Sequence, residues 1–276
     1  MKDLGTVLYA VDGAVATITL NRPEKSNAQN TALLEDLDRA FDLAEADRDV
    51  SVVILAAAGR NFCSGHDLTG VVNPDDTDPW RAKRDTPEGK LEHETVMFWD
   101  KTIRIRNFPK TTIAEVRGAC VAAGVMTASA CDLIVAAESA WFSNPVARMS
   151  AVGVEVLVEP YAMGFRQAKE FMLTGRRMPA EEALRLGWVN HVVPDDDLAT
   201  FTRALADDVA KVPPLTAQLL KRSINDAEDN MGMQVAWRNH FMIHQFMSAT
   251  PTALAKLAQR QQKSSMRDIV AERDAT

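Results

Sequence analysis

The sequence VVILAAAGRNFCSGHDL at residues 52–68 combines a strand signal with a turn of small residues. Its first six residues, 52–57, are all apolar, as expected of a strand that is covered on both faces. The same order recurs further along, where TTIAEV (111–116) leads into RGACVAAG (117–124). Strands that end in small-residue turns, separated by helical segments, predict an α/β fold.

Both turns place flexible backbone where a ligand could approach. Glycine or alanine allows close contact with the main chain, and N–H groups that open a following helix can point at developing negative charge. Each turn alone is equally compatible with tight packing between chain segments. Their parallel placement at two strand ends favours a pair of N–H donors, which is the arrangement of an oxyanion hole.

Further elements flank these two units. Residues 14–20 alternate between apolar and polar side chains, which predicts a strand, and residues 31–46 carry apolar side chains at helical spacing. Asn30 or Thr31 is available as the N-cap of that helix. The remaining predictions in this part of the chain are strands at 132–137 and 188–193, a helix at 160–174, and a helix that starts at Pro179 and ends before Gly187.

The β signals end near Asp195. Helical patterns then follow at 196–211, 214–227, 232–248 and 251–265. This change predicts two regions, an α/β core at 1–195 and a helical region at 196–276. One helical stripe consists of Met233, Trp237, Phe241 and His244. So large an apolar stripe must be covered either by the core of the same chain or by a partner subunit.

Residues 70–95 show little periodicity. They contain prolines at 74, 79 and 87 and many charged side chains, which predicts a long irregular connection, either an active-site lid or a surface loop. At its end, Glu92, His93 and Glu94 are expected to be solvated, unless closure of the connection brings them into a site.

Charge and composition narrow the possible partners. The net charge of −7 repels a polyphosphate backbone, and no basic stripe is present, so we expect no nucleic-acid partner. No apolar stretch approaches the roughly 20 residues of a membrane-spanning helix and the N-terminus lacks a signal segment, so we expect a cytoplasmic protein without membrane contact. Cys63, Cys120 and Cys131 lack disulfide or zinc spacing and are expected to be reduced packing residues.

Five segments, in order and spacing, resemble the crotonase (enoyl-CoA hydratase/isomerase) superfamily. They are LNRPEKSNAQN (20–30), FCSGHDL (62–68), VRGACVAAG (116–124), ACDLIVAAESAWFSNP (130–145) and FMLTGRRMPAEEALRLGWVNHVVP (171–194). The resemblance implies a spiral of ββα units followed by a helical region that builds trimers, often paired into hexamers. It also implies an acyl-coenzyme A thioester as the substrate and neither a metal nor a redox cofactor.

The resemblance further implies an oxyanion hole formed by the N–H of Ser64, just before Gly65, and the N–H of Ala123, just before Gly124. Two such donors would stabilise the enolate of a thioester. The substrate-binding residues expected around them are Arg22, Lys25, Ala28, Cys63, Gly65, His66, Asp67, Leu68, Trp99 and Gly124. The two cations in this group are expected to contact the phosphates of the coenzyme, unless they are solvated surface charges.

Two positions depart from the hydratase pattern. The glutamates that the resemblance implies would fall at Met126 and Val146, and neither residue can transfer a proton. The isomerase and dehalogenase branches place their acid or base further along, near Glu155, where a carboxyl with its pKa raised by an apolar pocket could move a proton between carbons of the acyl group. Glu159 and the imidazole of His66 are the alternatives, and Glu155 could instead be a surface or salt-bridged residue.

These observations together predict an enoyl-CoA hydratase or isomerase that lacks the standard pair of glutamates. The alternative is a non-catalytic acyl-CoA-binding protein of the same fold, which would bind thioesters without turnover. In either case we expect a homo-oligomer, a trimer or a dimer of trimers, and no cofactor, because coenzyme A is part of the substrate.

Overall fold

A mixed seven-stranded β-sheet forms the centre of the computed structural model, which describes residues 1–68, 78, 80 and 82–261. The strands are β1 (Lys2–Asp3), β2 (Val7–Asp12), β3 (Val15–Leu20), β4 (Val52–Ala57), β5 (Thr111–Val116), β6 (Ala119–Val121), β7 (Leu133–Ala137), β8 (Trp141–Ser143), β9 (Met178–Pro179) and β10 (His191–Val193). Their order in the large sheet is β1-β2-β3-β4-β5-β7-β10. The first three strands pair antiparallel, and every later neighbour pairs parallel.

A smaller sheet has the order β6-β8-β9, and helices surround both sheets. The α-helices of the described chain are α1 (Thr31–Ala46), α2 (Pro87–Glu94), α3 (Asp100–Arg106), α4 (Ala123–Ser129), α5 (Glu159–Met163), α6 (Phe165–Thr174), α7 (Ala180–Arg185), α8 (Leu198–Val209), α9 (Pro214–Asn230), α10 (Met233–Ser248) and α11 (Pro251–Gln261). In the described part of the chain, none of them is both long and apolar enough to cross a membrane. The prediction of an α/β fold is confirmed.

Strand β4 shows why its sequence is apolar at successive positions. Val53 and Leu55 pack into the large core cluster that also contains Phe41 of α1. Val52 and Ile54 point the other way, into a cluster that contains residues of α8. Because consecutive side chains of a strand point to opposite faces, a strand between two helical layers needs an apolar residue at every position.

The helical stripe on α10 is covered within the chain. Met233, Trp237, Phe241 and His244 are all buried. The indole Nε1–H of Trp237 donates a hydrogen bond to the carbonyl of Leu157, at 2.7 Å. Core packing in the same chain, one of the two predicted explanations, therefore accounts for this stripe without a partner subunit.

Three sequence predictions need correction. The predicted helix at 160–174 is interrupted at Gly164, whose φ of +82° ends α5, and the last strand is shorter than 188–193. The predicted irregular connection is wrong for its second part, because Pro87 at the first turn and the Thr86 side chain, which accepts the Gly89 N–H, start α2;. Residues 69–77, 79 and 81, with two of the prolines, lie outside the described residues.

Candidate active site

A cavity of about 630 Å³ lies beside the ends of the central strands. Its lining comes from segments that are distant in sequence, among them the stretch before and at the start of α1, the turn at 64–68, the segment 145–155, the end of α2, and α10. The lining residues used below are Arg22, Lys25, Ser64, Gly65, His66, Asp67, Leu68, Lys90, His93, Glu94, Phe98, Val146, Gly153, Glu155 and His244. Most of the ionisable residues that the sequence analysis considered as catalytic or binding groups therefore line this cavity.

The two small-residue turns are locked against each other. Cys63 donates its N–H to Ala119 O at 3.1 Å, and Val121 donates its N–H to Cys63 O at 2.9 Å. A Cβ added to Gly124 would lie 2.6 Å from Cys63 O, which is closer than atoms can approach. Gly65 has a φ of +100°, and a Cβ there would lie 3.2 Å from Val121 O. Both glycines are therefore required by the contact between the turns.

The backbone donors of the first turn differ from the prediction. The N–H of Ser64 donates to the carbonyl of Ser26 at 3.0 Å, so it cannot also serve a ligand, and the prediction of Ser64 as a donor is wrong. Gln29 bonds to the residues on either side of His66, through Gly65 O and the Asp67 N–H, each at 2.8 Å. In such a parallel pairing the N–H of His66 points away from Gln29;.

The second predicted donor, Ala123, lies close to this turn. A Cβ on Gly65 would be 3.6 Å from the Ala123 nitrogen. Ala123 begins α4, so its N–H precedes the first hydrogen-bonded turn, and Ala122 before it has a φ of +51°;. Within residues 1–68, 78, 80 and 82–261, neither the His66 N–H nor the Ala123 N–H has a hydrogen-bond acceptor.

Glu155 is buried and is not a surface residue. Its Oε2 lies 3.0 Å from His66 Nε2, and its side chain is 3% exposed. The imidazole of His66 stacks on Phe98, with ring centroids 3.8 Å apart. His66 Nδ1 is buried and has no hydrogen-bond partner in the described structure. The salt-bridged alternative for Glu155 is thus the observed one, but the pair it forms lines the cavity.

A second histidine–carboxylate pair adjoins the first. His244 Nε2 lies 3.2 Å from Glu94 Oε2 and 3.8 Å from Glu155 Oε1. Glu94 also accepts a hydrogen bond from the Gln245 side chain at 2.6 Å and lies 3.4 Å from Lys90 Nζ. The expectation that Glu94 is solvated is therefore wrong.

These contacts set the ionisation of the buried groups. Burial favours the neutral form of Glu155, but the charge and hydrogen bond of His66, with the charge of His244, outweigh it and hold the pKa of Glu155 well below its usual range;. The raised pKa that the sequence predicted for Glu155 is therefore wrong. For His244, burial is likewise outweighed by the hydrogen bond to Glu94 and by the charge of Glu155, so the pKa of His244 is raised.

Two further buried groups behave differently. Burial, with the nearby charge of Arg84, lowers the pKa of His93 to about 4, so this residue is a neutral imidazole near neutral pH. The prediction that His93 is solvated is wrong, because the residue is buried. Burial raises the pKa of Glu159, whose carboxyl accepts a hydrogen bond from Asn144 at 2.6 Å. Glu159 is not part of the cavity lining. Glu92, as predicted, is exposed, and it pairs with Lys83.

The predicted substrate-binding residues divide into two groups. Those that line the cavity are Arg22, Lys25, Gly65, His66, Asp67 and Leu68, whereas Ala28, Cys63, Trp99 and Gly124 do not. Trp99 packs on Phe241 with ring centroids 5.1 Å apart. The guanidinium of Arg22 already pairs with Asp67 at 2.9 Å and donates to Ala28 O at 2.5 Å. Lys25, in contrast, is exposed.

The two positions at which the resemblance implies glutamates are Met126 and Val146. Val146 lines the cavity, and Met126 is fully buried in the large core cluster. Neither side chain can donate or accept a proton. Any proton transfer in this cavity must therefore involve other groups. The buried ionisable groups considered for this role are His93, Glu94, Glu155 and His244, and the partly exposed His66 lines the cavity beside them.

Glu94, Glu155 and His244 have the composition of a metal site, but their atoms are already engaged with one another. One oxygen each of Glu94 and Glu155 and one nitrogen of His244 lie within 4.8 Å of one another. Carboxylate and imidazole ligands suit several divalent ions. The same atoms, however, already form ion pairs, and Lys90 adds a further positive charge next to Glu94.

The three cysteines are buried and free, and burial raises the pKa of the Cys63 thiol to about 12, which suits packing residues.

Comparisons with known proteins identify the family of the chain. The profile of the enoyl-CoA hydratase/isomerase family matches residues 10–254. EchA13, a candidate enoyl-CoA hydratase of Mycobacterium tuberculosis, is 43% identical over 249 residues, which are 86% of this chain and 78% of the relative. The 1,2-epoxyphenylacetyl-CoA isomerase of Escherichia coli is 31% identical and aligns with 81% of this chain and 83% of its own.

Solved structures show the same relationship. An enoyl-CoA hydratase/isomerase from Xanthobacter autotrophicus superposes with a TM-score of 0.87 at 33% identity, covering 99% of this chain and 98% of its own. A probable enoyl-CoA hydratase from Mycobacterium smegmatis gives 0.83 at 42% identity and covers 91% and 96%. The chain therefore belongs to the enoyl-CoA hydratase/isomerase family of enzymes.

Proposed function

We propose that the protein moves a proton on an acyl-CoA thioester whose enolate is held by the backbone N–H groups of His66 and Ala123. The observation that carries the proposal is the contact between the buried Glu155 and His66, both of which line the cavity. His66 belongs to the turn that lies close to Ala123, and in the described part of the chain the N–H groups of His66 and Ala123 have no hydrogen-bond acceptor. Double-bond migration in an enoyl-CoA is the reaction that the Glu155–His66 pair supports best.

The two backbone donors would stabilise the negative charge that develops during this reaction. Removal of a proton next to a thioester places negative charge on the thioester oxygen, and aligned N–H groups stabilise it without reorganisation. Loss of one such donor typically raises the barrier by about 2.7–4 kcal/mol. His66 replaces Ser64 in this role because the Ser64 N–H is already bonded to Ser26.

The Glu155–His66 pair addresses the proton-transfer half. The carboxylate is held ionised by its neighbours, so it can orient the imidazole and share a proton with it at a separation of 3.0 Å;. One pair that takes a proton from one carbon and returns it to another is sufficient for migration. Addition of water by two glutamates is disfavoured, because Met126 and Val146 occupy the positions where the family resemblance implies those residues.

Coenzyme binding is the second part of the proposal. Lys25 lines the cavity and is exposed, so it can reach a phosphate. Arg22 would have to leave Asp67 and Ala28 to do so, and we assign it mainly to holding the first turn. Assembly into trimers or a dimer of trimers and a cytoplasmic location remain part of the proposal.

The test is incubation of the purified protein with a panel of enoyl-CoA thioesters in deuterated water, followed by mass spectrometry and NMR. Double-bond migration with deuterium at carbon supports the proposal. Hydration without migration would contradict it and require another water-activating group. Thioester binding without any turnover would support the non-catalytic alternative, in which the loss of both glutamates left only a binding protein.

A further inference from the structure

We infer that His244 is a positioning residue, which as an imidazolium between two buried carboxylates keeps Glu155 ionised and directed at His66. The inference rests on the proposed function and goes beyond it, because His244 lies on α10, far in sequence from both small-residue turns. His244 acts on the proton-transfer pair through its contacts with the two carboxylates.

The hydrogen-bonding pattern determines where the protons of His244 lie. Nδ1 is 3.0 Å from the carbonyl oxygen of Gly153. A carbonyl can only accept a hydrogen bond, so Nδ1 must carry a hydrogen. In a neutral imidazole Nε2 would then present a lone pair to Glu94 Oε2 at 3.2 Å and to Glu155 Oε1 at 3.8 Å. Nε2 is therefore protonated whenever both carboxylates are ionised, and the ring is a cation.

The Nε2 atom of His244 interacts with both carboxylates, Glu94 and Glu155. Glu94 has further support from Lys90 and from the Gln245 amide. Besides His244, the ion-pair partner of Glu155 among the described residues is His66, on its other oxygen. Without His244, Glu155 would face the like charge of Glu94 in a buried site, and both effects favour its protonated form. A protonated Glu155 could neither orient the His66 ring as a base nor accept its proton.

The other titratable groups around this network are few. His66 faces Glu155 from the first turn, Lys90 and His93 face Glu94 from α2, and His240 precedes His244 by one turn on α10. Among the described residues these are the groups whose own titration must be separated from that of Glu155. His240 provides the means to do so.

His240 is a matched control for His244. Both residues are 8% exposed. Both also bind the segment just before Glu155: His240 Nε2 donates to Val154 O at 2.8 Å, and His244 Nδ1 donates to Gly153 O. In the described structure, His240 forms neither a hydrogen bond nor an ion pair with Glu94 or Glu155. Loss of His240 therefore removes an anchor of the segment, whereas loss of His244 removes an anchor and the charge.

The experiment compares His244→Gln with His240→Gln in the full-length protein. Deuterium exchange into an enoyl-CoA that the wild type turns over is measured from about pH 5 to about pH 9, with kcat and KM separated. We expect His244→Gln to lower kcat at least about tenfold at the acidic end with little change in KM, and to move the acidic limb of the profile upward by about one pH unit or more. His240→Gln should keep the wild-type profile. Equal profiles for the two variants would overturn the inference.

A double variant distinguishes loss of charge from loss of packing. Glu94→Gln in the His244→Gln background removes the like charge next to Glu155, so it should move the acidic limb back towards the wild-type position. A merely structural role for His244 predicts no such recovery. Thermal unfolding of each variant identifies those that are folded, and the double variant keeps the test decisive even if His244→Gln alone is unstable.

A second readout does not depend on turnover. In protein labelled with carbon-13 at glutamate carboxyl groups, the Glu155 signal is assigned by its absence from Glu155→Gln. We expect this signal to titrate at higher pH in His244→Gln than in the wild type, whatever reaction the enzyme catalyses. An unchanged titration overturns the inference, whereas a wild type that turns over no thioester contradicts only the proposed function.

Discussion

His66 Nε2 lies 3.0 Å from Glu155 Oε2, which joins two residues that are 89 positions apart in the chain. His66 belongs to the turn that follows β4, and Glu155 to the segment that precedes α5. The contact therefore couples the backbone donors of the first turn to the only carboxylate that touches this ring in the described structure. In the mechanism proposed above, this one hydrogen bond joins the proton-transfer group to the turn that stabilises the enolate.

The first prediction concerns Glu155→Gln. The amide keeps the shape of the side chain but cannot exchange a proton, so kcat for double-bond migration should fall by about 10²–10⁴-fold, the usual range for one acid–base group. Thioester binding, measured by calorimetry, should persist. Glu159→Gln is the control, because Glu159 is also fully buried but does not line the cavity. Equal losses of activity in the two variants would exclude Glu155 from the mechanism.

The sequence predicted the framework of this site but not its ionic contacts. The apolar run 52–57 and the small residues of the turns specify their own local structure, because a doubly covered strand and a tight backbone contact impose those residue types directly. Glu94 and His244 are 150 positions apart, and no local pattern indicates that they meet. One signal was available, since His244 continued an apolar stripe, where a buried imidazole needs a polar partner.

The mistaken assignment of Ser64 has a similar cause. The turn at 61–68 offers several backbone N–H groups, and sequence alone does not show which of them is already bonded. In the structure, the Ser64 N–H donates a hydrogen bond to the Ser26 carbonyl. The backbone pairing of Gln29 with the residues on either side of His66 directs the His66 N–H away from Gln29;. Both partners come from the segment before α1, so the choice is made by tertiary contact.

A second prediction tests the contact between the two turns. Gly124→Ala would place a Cβ 2.6 Å from Cys63 O, and the turns must separate to admit it. We expect a stability loss of about 1–3 kcal/mol, as for other overpacked sites, with a large loss of activity because the Ala123 donor moves. In Gly187→Ala the added Cβ meets nothing within 4 Å, so only the cost of its φ of +81° applies and activity should remain. Urea unfolding and turnover measure both effects.

A third prediction concerns the attachment of the helical region. Arg106, at the end of α3, is buried and lies 3.0 Å from Asp229 and 3.1 Å from Glu228, both on α9. Arg106→Ala should remove the cation from the partly exposed Asp229, which keeps its hydrogen bond from Gln234, and destabilise the protein by about 1.5–3 kcal/mol, the range for hydrogen bonds to charged groups. Arg203→Ala, which removes an exposed pair with Asp12, should cost no more than about 1 kcal/mol. Similar unfolding midpoints for the two variants would contradict the anchoring role.

The last prediction concerns stability on mild acidification. The folded-state pKa of His93 is lowered to about 4, from 6.5 in the unfolded chain, so the unfolded state binds more protons between these values. The contribution of His93 is therefore fully present above pH 6.5 and is lost as the pH falls towards 4. The buried His240, whose pKa is also lowered, acts in the same direction. The raised pKa of His244 acts oppositely, and its contribution is lost only as the pH rises above 6.5.

His93→Gln separates these contributions, because glutamine does not titrate. Between pH 6.5 and about pH 5, most carboxyl groups of the unfolded chain remain ionised, so the histidines dominate the slope in this window. We expect the free energy of unfolding of the wild type to fall by roughly 1–2 kcal/mol more than that of His93→Gln across it. Urea titrations at the two pH values measure the difference. Parallel losses in the two proteins would mean that His93 is already charged, or reaches water, in the folded state.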